Sequence, residues 1–293
     1  MAAVGIIGIG NMGGAMAQRL LTLGWQVTVR DINASKEHFL ESKGAVAGVK
    51  WSSVATNSVA TIVCVVDAAQ TDEVLFGAQG VVHSAQHSHT VLLCPTIAPQ
   101  DTERFAARLA ESGIRCIDAP MSGGPARALD GSMSLMVACS DAMFQEHATL
   151  LNALSGKLFH VSQRVGDGAR TKLVNNLLAG INLVGAAEVL ALAQKMGLDL
   201  PTTLNVIEQS SGQSWIGSDR MRRVLANSGE GDYAPRAHMT LLAKDMRLAV
   251  EAAQSAGFEG PLGASASALF AQALQAGLAD EDDAAVFKLL NSR

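Results

Sequence analysis

The chain has 293 residues, of which 48% are hydrophobic and 17% charged, and its formal net charge is −5. These values are typical of a soluble globular protein long enough for two domains, so no metal or disulfide is needed for its stability. A negative net charge without a basic cluster, together with only 4% aromatic residues, excludes nucleic acid as a main partner. No uninterrupted apolar run of about 18 residues is present, so no membrane span is expected.

The four cysteines, Cys64, Cys94, Cys116 and Cys139, lie within or beside apolar runs and form no CxxC pair. This pattern predicts reduced core thiols of a cytoplasmic protein, and no metal site. A catalytic cysteine is the less favoured alternative, because none of the four has a histidine-rich context.

The first half of the chain alternates short β-rich runs with helical patterns. Strands are predicted at Ala3–Ile7, Gln26–Arg30, Thr61–Val65, Thr90–Cys94, Arg115–Ala119, Ser134–Ala138 and Leu158–Val161. Helices are predicted between several of them, notably at Gly13–Leu23, Ala34–Lys43 and Pro99–Ser112. Apolar strands that alternate with helices indicate a doubly wound, mostly parallel sheet of the Rossmann type, with its ligand site at the carboxyl ends of the strands.

From about residue 166 the strand signals stop and helical periodicity takes over. The predicted helices are Ala169–Met196, Pro201–Gln209, Trp215–Ala226, Ala237–Ser255, Pro261–Ala276 and Ala284–Leu290. We therefore predict an α/β cofactor domain over residues 1–163 and an all-α substrate and oligomerisation domain over residues 164–293. No Pro/Ser-rich linker separates them, so a long helix is expected at the junction.

The glycine pattern of residues 8–13 follows the first predicted strand and opens a helix. Gly8 permits the tight turn, Gly10 lets the backbone approach a pyrophosphate, and Gly13 lets the helix pack closely on the strand. The N–H groups at the helix start, around Asn11 and Met12, would bind the phosphates. A lone GxGxxG is a weak signal, but the strand before it and the helix and strand after it favour a dinucleotide site over a structural glycine turn.

Asp31 lies at the end of the second strand, where a carboxylate accepts hydrogen bonds from the adenosine ribose and repels a 2′-phosphate. This favours NAD over NADP. Arg30 is the complication, because an arginine there would attract that phosphate. Neighbouring strand residues point to opposite faces, so Arg30 and Asp31 should not both meet the ribose.

Three further loops follow predicted strands. Val66 and Thr96 lie in two of them and would border the nicotinamide half of the cofactor, with ordinary turn chemistry as the alternative. The third contains Ser122, Gly123 and Gly124, which offer consecutive backbone N–H groups and a hydroxyl. Such a loop can hold a carboxylate, or it is a glycine-rich turn without a ligand.

Lys172 stands in a helix that is otherwise mostly apolar, where a buried charge is costly unless something pairs with it. Asn176 and Gly180 follow at helical spacing on the same face. The sequence therefore predicts a cation, an amide and a gap without a side chain, all on one side of the helix. A lysine whose head reaches solvent is the alternative.

With these motifs in place, the chain resembles the β-hydroxyacid dehydrogenase family over its whole length. Four segments carry the resemblance: GIGNMGGAMAQRL at 8–20, DAPMSGGPARALDGSMSLMVA at 118–138, GDGARTKLVNN at 166–176 and KDMRLA at 244–249. The likeness is greatest to the L-threonate dehydrogenases of the family. Those enzymes carry His-Gln where this chain has Asn175-Asn176, which leaves the exact acid open.

The resemblance implies roles for individual residues. Lys172 matches the catalytic lysine, Asn176 matches a substrate contact, and Ser122, Gly123 and Gly124 match the substrate loop. Lys244, followed by Asp245, matches the lysine on the cofactor side, although a Lys-Asp pair on a helix is commonly a solvated surface pair. A homodimer or homotetramer with packed helical domains is also implied.

These observations predict an NAD-dependent dehydrogenase that oxidises a small hydroxy acid, most closely L-threonate to 2-oxo-tetronate, with Lys172 transferring the hydroxyl proton. The alternatives within the class are 3-hydroxyisobutyrate dehydrogenase and tartronate semialdehyde reductase. An imine reductase shares the architecture but usually lacks the lysine. A non-catalytic NAD-sensing protein would need the glycines but neither Lys172 nor the Ser122 loop.

Overall fold

The computed structural model describes residues 2–56, 58–83, 88–226 and 232–291. The chain divides into two compact units, Met1–Lys172 and Leu173–Arg293. The first unit contains every strand among the described residues, and the second is helical. The predicted order of an α/β half followed by an all-α half is confirmed.

The first unit is built on one mostly parallel sheet. Its strands are β1 (Ala3–Ile7), β2 (Gln26–Arg30), β3 (Val46–Ala47), β4 (Ala60–Val63), β5 (Thr90–Leu93), β6 (Arg115–Asp118), β7 (Met121–Ser122), β8 (Ser134–Ala138) and β9 (Lys157–Ser162). They lie in the order β3-β2-β1-β4-β5-β6-β8-β7, and β9 also pairs with β8. The neighbouring strands β3, β2, β1, β4, β5 and β6 are parallel to one another. β8 runs antiparallel to both β6 and β7.

Helices cover both faces of this sheet. They are α1 (Asn11–Thr22), α2 (Ala34–Glu41), α3 (Trp51–Ala55), α4 (Ala68–Phe76), α5 (Pro99–Glu111), α6 (Gly124–Asp130), α7 (Asp141–Glu146) and α8 (Ala148–Leu154). Consecutive residues of β1 show the two-sided burial, because Ile6 packs in one apolar cluster and Ile7 in another. A parallel sheet buried on both faces requires such continuously apolar strands.

The remaining helices are α9 (Asp167–Lys195), α10 (Leu200–Glu208), α11 (Trp215–Val224), α12 (Met239–Ser255), α13 (Pro261–Gln275) and α14 (Val286–Asn291). α9 is the long junction helix that the sequence predicts, and it continues from the first unit into the second. In the second unit its Leu183, Ala187 and Leu190 are fully buried in the helical core with Phe270.

Within the part of the chain that the structure describes, α9 is the one helix long and apolar enough to cross a membrane. Polar residues such as Asn176, Asn182 and Glu188 interrupt this helix, so it is not an uninterrupted apolar run, and the expectation of no membrane span stays a prediction. The finding is weak support for a membrane span, since its apolar side chains Leu183, Ala187 and Leu190 pack in the core of the helical unit.

Candidate functional site

The sheet has a topological switch point at β1. From β1 the chain runs outward through β2 and β3, and then returns to β4 on the other side of β1 and continues to β5 and β6. Ligands of open α/β sheets bind at the carboxyl ends of the strands beside such a point. The predicted site residues of the first unit follow β1, β2, β4, β5 and β6, so the fold brings them to one edge of the sheet.

The turn after β1 accommodates glycine alone at two positions. Gly8 has a φ of +84°, and a Cβ there would lie 2.6 Å from the carbonyl oxygen of Cys64. A Cβ on Gly13 would overlap the carbonyl oxygen of Gly8. The close packing of α1 on β1 therefore depends on both residues, as the glycine pattern predicts.

The N-terminus of α1 is open on its outer side. Gly10 is the N-cap and provides no side-chain hydrogen bond, so the first N–H groups of the helix, at Asn11 and Met12, lack a side-chain cap. A Cβ on Gly10 would have only the Nζ atom of Lys36 within reach, at 4.0 Å. Free N–H groups, a helix dipole and open space fit the pyrophosphate of a dinucleotide.

Asp31 is held beside this turn and is only 9% exposed. Its Oδ2 accepts a hydrogen bond from the backbone N–H of Ile9 at 2.8 Å, and its Oδ1 accepts one from Asn33 at 2.9 Å. Each carboxylate oxygen has a second acceptor position. The carboxylate is therefore oriented by the backbone and can still accept hydrogen bonds from a ligand.

Arg30 makes contacts away from the Asp31 carboxylate. Its Nη1 donates to Glu37 Oε1 at 2.7 Å and to the carbonyl oxygen of Asp31 at 2.8 Å. Its guanidinium lies over the Trp51 ring, 5.1 Å from the ring centroid. The cation is thus already paired with an acid and stacked on an aromatic ring.

The loops after β4 and β5 contribute less defined surfaces. Val66 is 46% exposed, and its N–H donates to Gln70 Oε1 at 3.2 Å. Asp67 is the N-cap of α4, accepting a hydrogen bond from Gln70 at 2.8 Å, which is ordinary turn chemistry. Thr96, after β5, is half-buried.

Ser122 ends β7, where it pairs with Ser134 at the start of β8. Gly123 and Gly124 follow with φ values of +133° and +76°, conformations that favour glycine. All three residues are half-buried. Because β8 runs antiparallel to β6, its start lies at the carboxyl edge of the sheet, and the Ser122 loop therefore lies at the same edge as the glycine turn.

Asp118 is a residue whose contacts sequence reasoning missed. It ends β6, is 1% exposed, and its Oδ2 accepts hydrogen bonds from the backbone N–H groups of Gly166 at 2.9 Å and Ala169 at 3.0 Å. Burial raises the pKa of this carboxyl to about 6, and the backbone hydrogen bonds partly oppose that rise. An acid at the end of an otherwise buried strand was the signal available in the sequence.

Lys172 and Asn176 occupy one face of α9 and are 8% and 7% exposed. The alternative of a lysine with its head in solvent is therefore wrong. The prediction of an open space beside Gly180 is also wrong, because a Cβ there would overlap Met246 Sδ. Gly180 serves the packing of α12 against α9.

In the helical unit, Asn176 meets the Lys-Asp pair of α12. Its Nδ2 donates to Asp245 Oδ2 at 2.7 Å, while its Oδ1 accepts a hydrogen bond from Asn175 at 3.1 Å. Lys244 Nζ lies 3.2 Å from Asp245 Oδ1. The side chains of Lys244 and Asp245 are only 20% and 13% exposed, so this is not the solvated surface pair that is common on helices.

A cavity of about 570 Å³ opens in the helical unit beside α11. Trp215 lines it and is 52% exposed, so this residue is not an ordinary core tryptophan. The lining is otherwise polar and includes Gln209, Gln213, Ser214, Ser218 and Arg222.

The four cysteines are unpaired thiols, and burial raises the pKa of each, to about 12 for Cys64 and about 11 for Cys139. Over the described ranges, no three His, Cys, Asp or Glu side chains are grouped so as to hold a metal ion. The chemistry available at the sheet edge and on α9 therefore consists of backbone N–H groups, hydroxyls, amides, carboxylates and lysines.

Comparison with known proteins identifies the family. Residues 3–162 match the NAD binding domain of 6-phosphogluconate dehydrogenase, and residues 166–290 match the NAD-binding domain of NADP-dependent 3-hydroxyisobutyrate dehydrogenase. The chain belongs to the β-hydroxyacid dehydrogenase family. This confirms the resemblance that the four sequence motifs indicate.

Members of the family match the chain over nearly its full length. L-threonate dehydrogenase of Escherichia coli is 34% identical over 290 residues, covering 98% of this chain and 94% of the relative. 3-Hydroxyisobutyrate dehydrogenase of Pseudomonas aeruginosa is 32% identical, covering 94% and 93%. A crystal structure named 3-hydroxyisobutyrate dehydrogenase, from Salmonella typhimurium, has a TM-score of 0.91 at 33% identity and covers 99% of this chain and all of its own.

As a member of this family the protein is an oxidoreductase that acts on the hydroxyl group of a small hydroxy acid with a nicotinamide cofactor. The open N-terminus of α1 and the oriented Asp31 fit such a cofactor.

Proposed function

We propose that this member of the β-hydroxyacid dehydrogenase family oxidises L-threonate to 2-oxo-tetronate with NAD. The observation that carries the chemistry is the buried Lys172, which shares a face of α9 with the buried Asn176. The choice of acid is supported by the 34% identity to L-threonate dehydrogenase over nearly the whole chain.

The cofactor would be bound by residues 1–163. Gly8, Gly10 and Gly13 would let the pyrophosphate approach the N–H groups of Asn11 and Met12. Asp31 would accept the ribose hydroxyls. Val66 and Thr96 would border the nicotinamide. Lys244, in the helical domain (residues 164–293), is the further cofactor contact that the family resemblance implies.

NAD is favoured over NADP by the two neighbouring residues at the end of β2. Asp31 presents an oriented carboxylate, which would repel a 2′-phosphate. Arg30 could attract that phosphate, but its guanidinium is already paired with Glu37 and stacked on Trp51.

The substrate carboxylate would be held by Ser122, Gly123 and Gly124 through backbone N–H groups and the serine hydroxyl. Asn176 would contact the substrate through the second N–H of its amide, because the first donates to Asp245. Anchoring by Asp245 would hold that amide in one orientation.

Lys172 would move the proton of the reacting hydroxyl. In oxidation it accepts the proton as the alkoxide develops and stabilises that charge, and in reduction its ammonium returns the proton. The nicotinamide ring, when bound, accepts or supplies the hydride at the same carbon. Burial of Lys172 excludes water from the proton transfer.

The test is Lys172→Ala, with Lys195→Ala as a control at the exposed end of the same helix. We expect Lys172→Ala to lower kcat by roughly 10²-fold or more, within the range for positioned acid–base groups. The affinity for NAD, measured by fluorescence titration, should barely change. Near-normal turnover of Lys172→Ala would refute the assignment.

A second candidate, 3-hydroxyisobutyrate dehydrogenase, is favoured by the Pseudomonas relative and by the solved structure of that name. NADH production from L-threonate, D-threonate, 3-hydroxyisobutyrate and glycerate, repeated with NADP, separates the candidates. L-threonate with NAD should give the highest kcat/KM. Binding of NAD without turnover of any acid would instead favour a sensing protein.

We further propose that the protein is a cytoplasmic homodimer or homotetramer assembled through its helical unit. α9 exposes the large apolar side chains of Val174, Leu178, Val189 and Leu192, and Met196, which follows the helix, is exposed as well. With Ile181 and Gly185, they recur every three or four residues, which is the period of a helix face that a second helix covers.

A further inference from the structure

Asp118 lies between the two elements that carry the proposed proton-transfer and carboxylate-binding groups. As the last residue of β6, it pairs with Leu93 of β5 and Ala138 of β8, so its backbone is fixed within the sheet. Two residues, Ala119 and Pro120, separate it from β7, which ends at Ser122. The position of Asp118 is therefore rigid and is coupled through a short connection to the Ser122 loop.

The carboxylate of Asp118 holds the start of α9. Its Oδ2 accepts hydrogen bonds from Gly166 and Ala169, which precede Lys172 by six and three residues. N–H groups in the first turn of a helix have no intrahelical acceptor, and the helix dipole is positive there. The Asp118 carboxylate accepts these N–H groups and is favoured by the dipole, so it fixes the first turn of α9, and Lys172 lies in the next turn.

Gly168 of α9 also lies in close contact with the Asp118 carboxylate. A Cβ on Gly168 would lie 2.9 Å from the carboxyl carbon and from both carboxylate oxygens of Asp118. A larger residue at 168 would have to displace the Asp118 carboxylate or the start of the helix. One carboxylate thus lies directly against one glycine where β6 and α9 meet.

The groups that favour the charged form of Asp118 are the backbone N–H groups of Gly166, Gly168 and Ala169. Asp167 and the thiols of Cys94, Cys116 and Cys139 interact electrostatically with it. Burial raises its pKa to about 6, so above neutral pH the buried carboxylate is charged and is stabilised chiefly by the helix N–H groups.

We propose that Asp118 is a positioning residue that sets the place of Lys172 relative to the Ser122 loop. The proposal rests on the proton-transfer role proposed for Lys172. Asp118 itself would touch neither substrate nor cofactor. A misplacement of about 1 Å can cost 10²-fold in rate, so releasing the helix should slow turnover without weakening cofactor binding.

Three variants test the proposal through kcat and KM. Asp118→Ala removes the acceptor, and we expect kcat to fall between about 10- and 100-fold while KM for NAD stays within about twofold. Asp118→Asn keeps an amide oxygen as acceptor and should recover most of that loss. Gly168→Ala displaces the same contact from the helix side and should reproduce the fall in kcat.

The matched control is Gln194→Ala. Gln194 is exposed in the same helix and does not belong to the apolar face proposed for assembly. Its kcat should equal that of the wild type. Combining Gly168→Ala with Asp118→Ala should slow turnover no more than Asp118→Ala alone, because the shortened side chain leaves room for the added Cβ.

The decisive measurement is Asp118→Ala in a Lys172→Ala background. If Asp118 acts through Lys172, the double variant should turn over at the rate of Lys172→Ala alone. A further tenfold loss would overturn the proposal, as would a normal kcat in both Asp118→Ala and Gly168→Ala. Should Asp118→Ala fail to fold, Gly168→Ala and Asp118→Asn decide in the same way.

The outcomes also separate the two proposals. Suppose that Lys172→Ala loses turnover while the Asp118 and Gly168 variants keep normal turnover. The positioning role of Asp118 is then overturned, and the proton-transfer role of Lys172 stands. Normal turnover in Lys172→Ala overturns both.

Discussion

Asp31 accepts hydrogen bonds from Ile9 and Asn33, so its carboxylate is oriented by the backbone of the site that it serves. The glycine pattern and the acid at the end of β2 locate this carboxylate from sequence. Its backbone donors could not be predicted, because the Ile9 bond depends on how the turn after β1 closes against β2. The same holds for Arg30, whose pairing with Glu37 depends on the packing of α2.

We predict that Asp31→Ala raises KM for NAD by about tenfold or more and changes kcat little. The variant loses a ribose acceptor and releases the N–H of Ile9, and a hydrogen bond to a charged group contributes about 1.5–3 kcal/mol. Steady-state kinetics with varied NAD measures this. Asp199→Ala is the control, since Asp199 accepts a backbone N–H at α10 in the helical unit. An unchanged KM for NAD in Asp31→Ala would contradict the prediction.

At the scale of elements, the sequence predicted the described strands of four or more residues, but not the two-residue strands or the helix of little more than one turn. The bounds predicted for β1, β2 and β8 agree with the structure, and those of α5 and α13 differ by one residue. The two-residue strands β3 and β7 and the five-residue α3 were not predicted, because so few residues carry no detectable periodicity. Their existence depends on pairing and packing with distant segments.

The same limit applies to contacts between helices. Sequence indicated a polar face on α9, but the Asn176–Asp245 hydrogen bond joins residues 69 positions apart. Periodicity gives the face of each helix and not its partner. The space left by Gly180 was likewise predicted as open, whereas Met246 fills it.

From the exposed apolar face of α9 we predict that charges placed on it change the oligomeric state. Leu178→Glu combined with Leu192→Glu places two charges on that face, which should convert the assembly to a species of the chain mass, 30.4 kDa. The monomer fold should persist, because both side chains are more than half exposed. Light scattering after gel filtration measures the mass, with the 82% exposed Val49→Glu in the first unit as control. A wild-type mass of 30.4 kDa, or an unchanged mass of the double variant, would refute it.

For the whole molecule, the free energy of unfolding below neutral pH depends on buried groups that titrate there. Some of them lower it as the pH falls, and others raise it. His89 is buried with its Nε2 2.9 Å from Thr61 Oγ1, and burial lowers its pKa from 6.5 to about 4. As the pH falls from 6.5 to 4, the unfolded chain binds a proton that the folded protein cannot bind, so the free energy of unfolding falls. Asp118, with its pKa raised to about 6, opposes this loss in the same range.

We predict that His89→Gln reduces the acid-induced loss of stability between pH 6.5 and pH 4. The His89 contribution is on the order of 3 kcal/mol over that range, since one pKa unit corresponds to about 1.4 kcal/mol. Urea unfolding at pH 7 and pH 4.5 compares the variant with the wild type and with the exposed His38→Gln. Parallel losses in all three proteins would show that His89 does not limit acid stability.

The four cysteines have a practical consequence for labelling. Thiolates are the reactive form, and burial holds the pKa of every native thiol in this chain above its usual value. A cysteine introduced at an exposed position would therefore be the single fast-reacting thiol near neutral pH. Fluorophores or spin labels can be attached to the otherwise unaltered sequence, with no need to remove the native cysteines first.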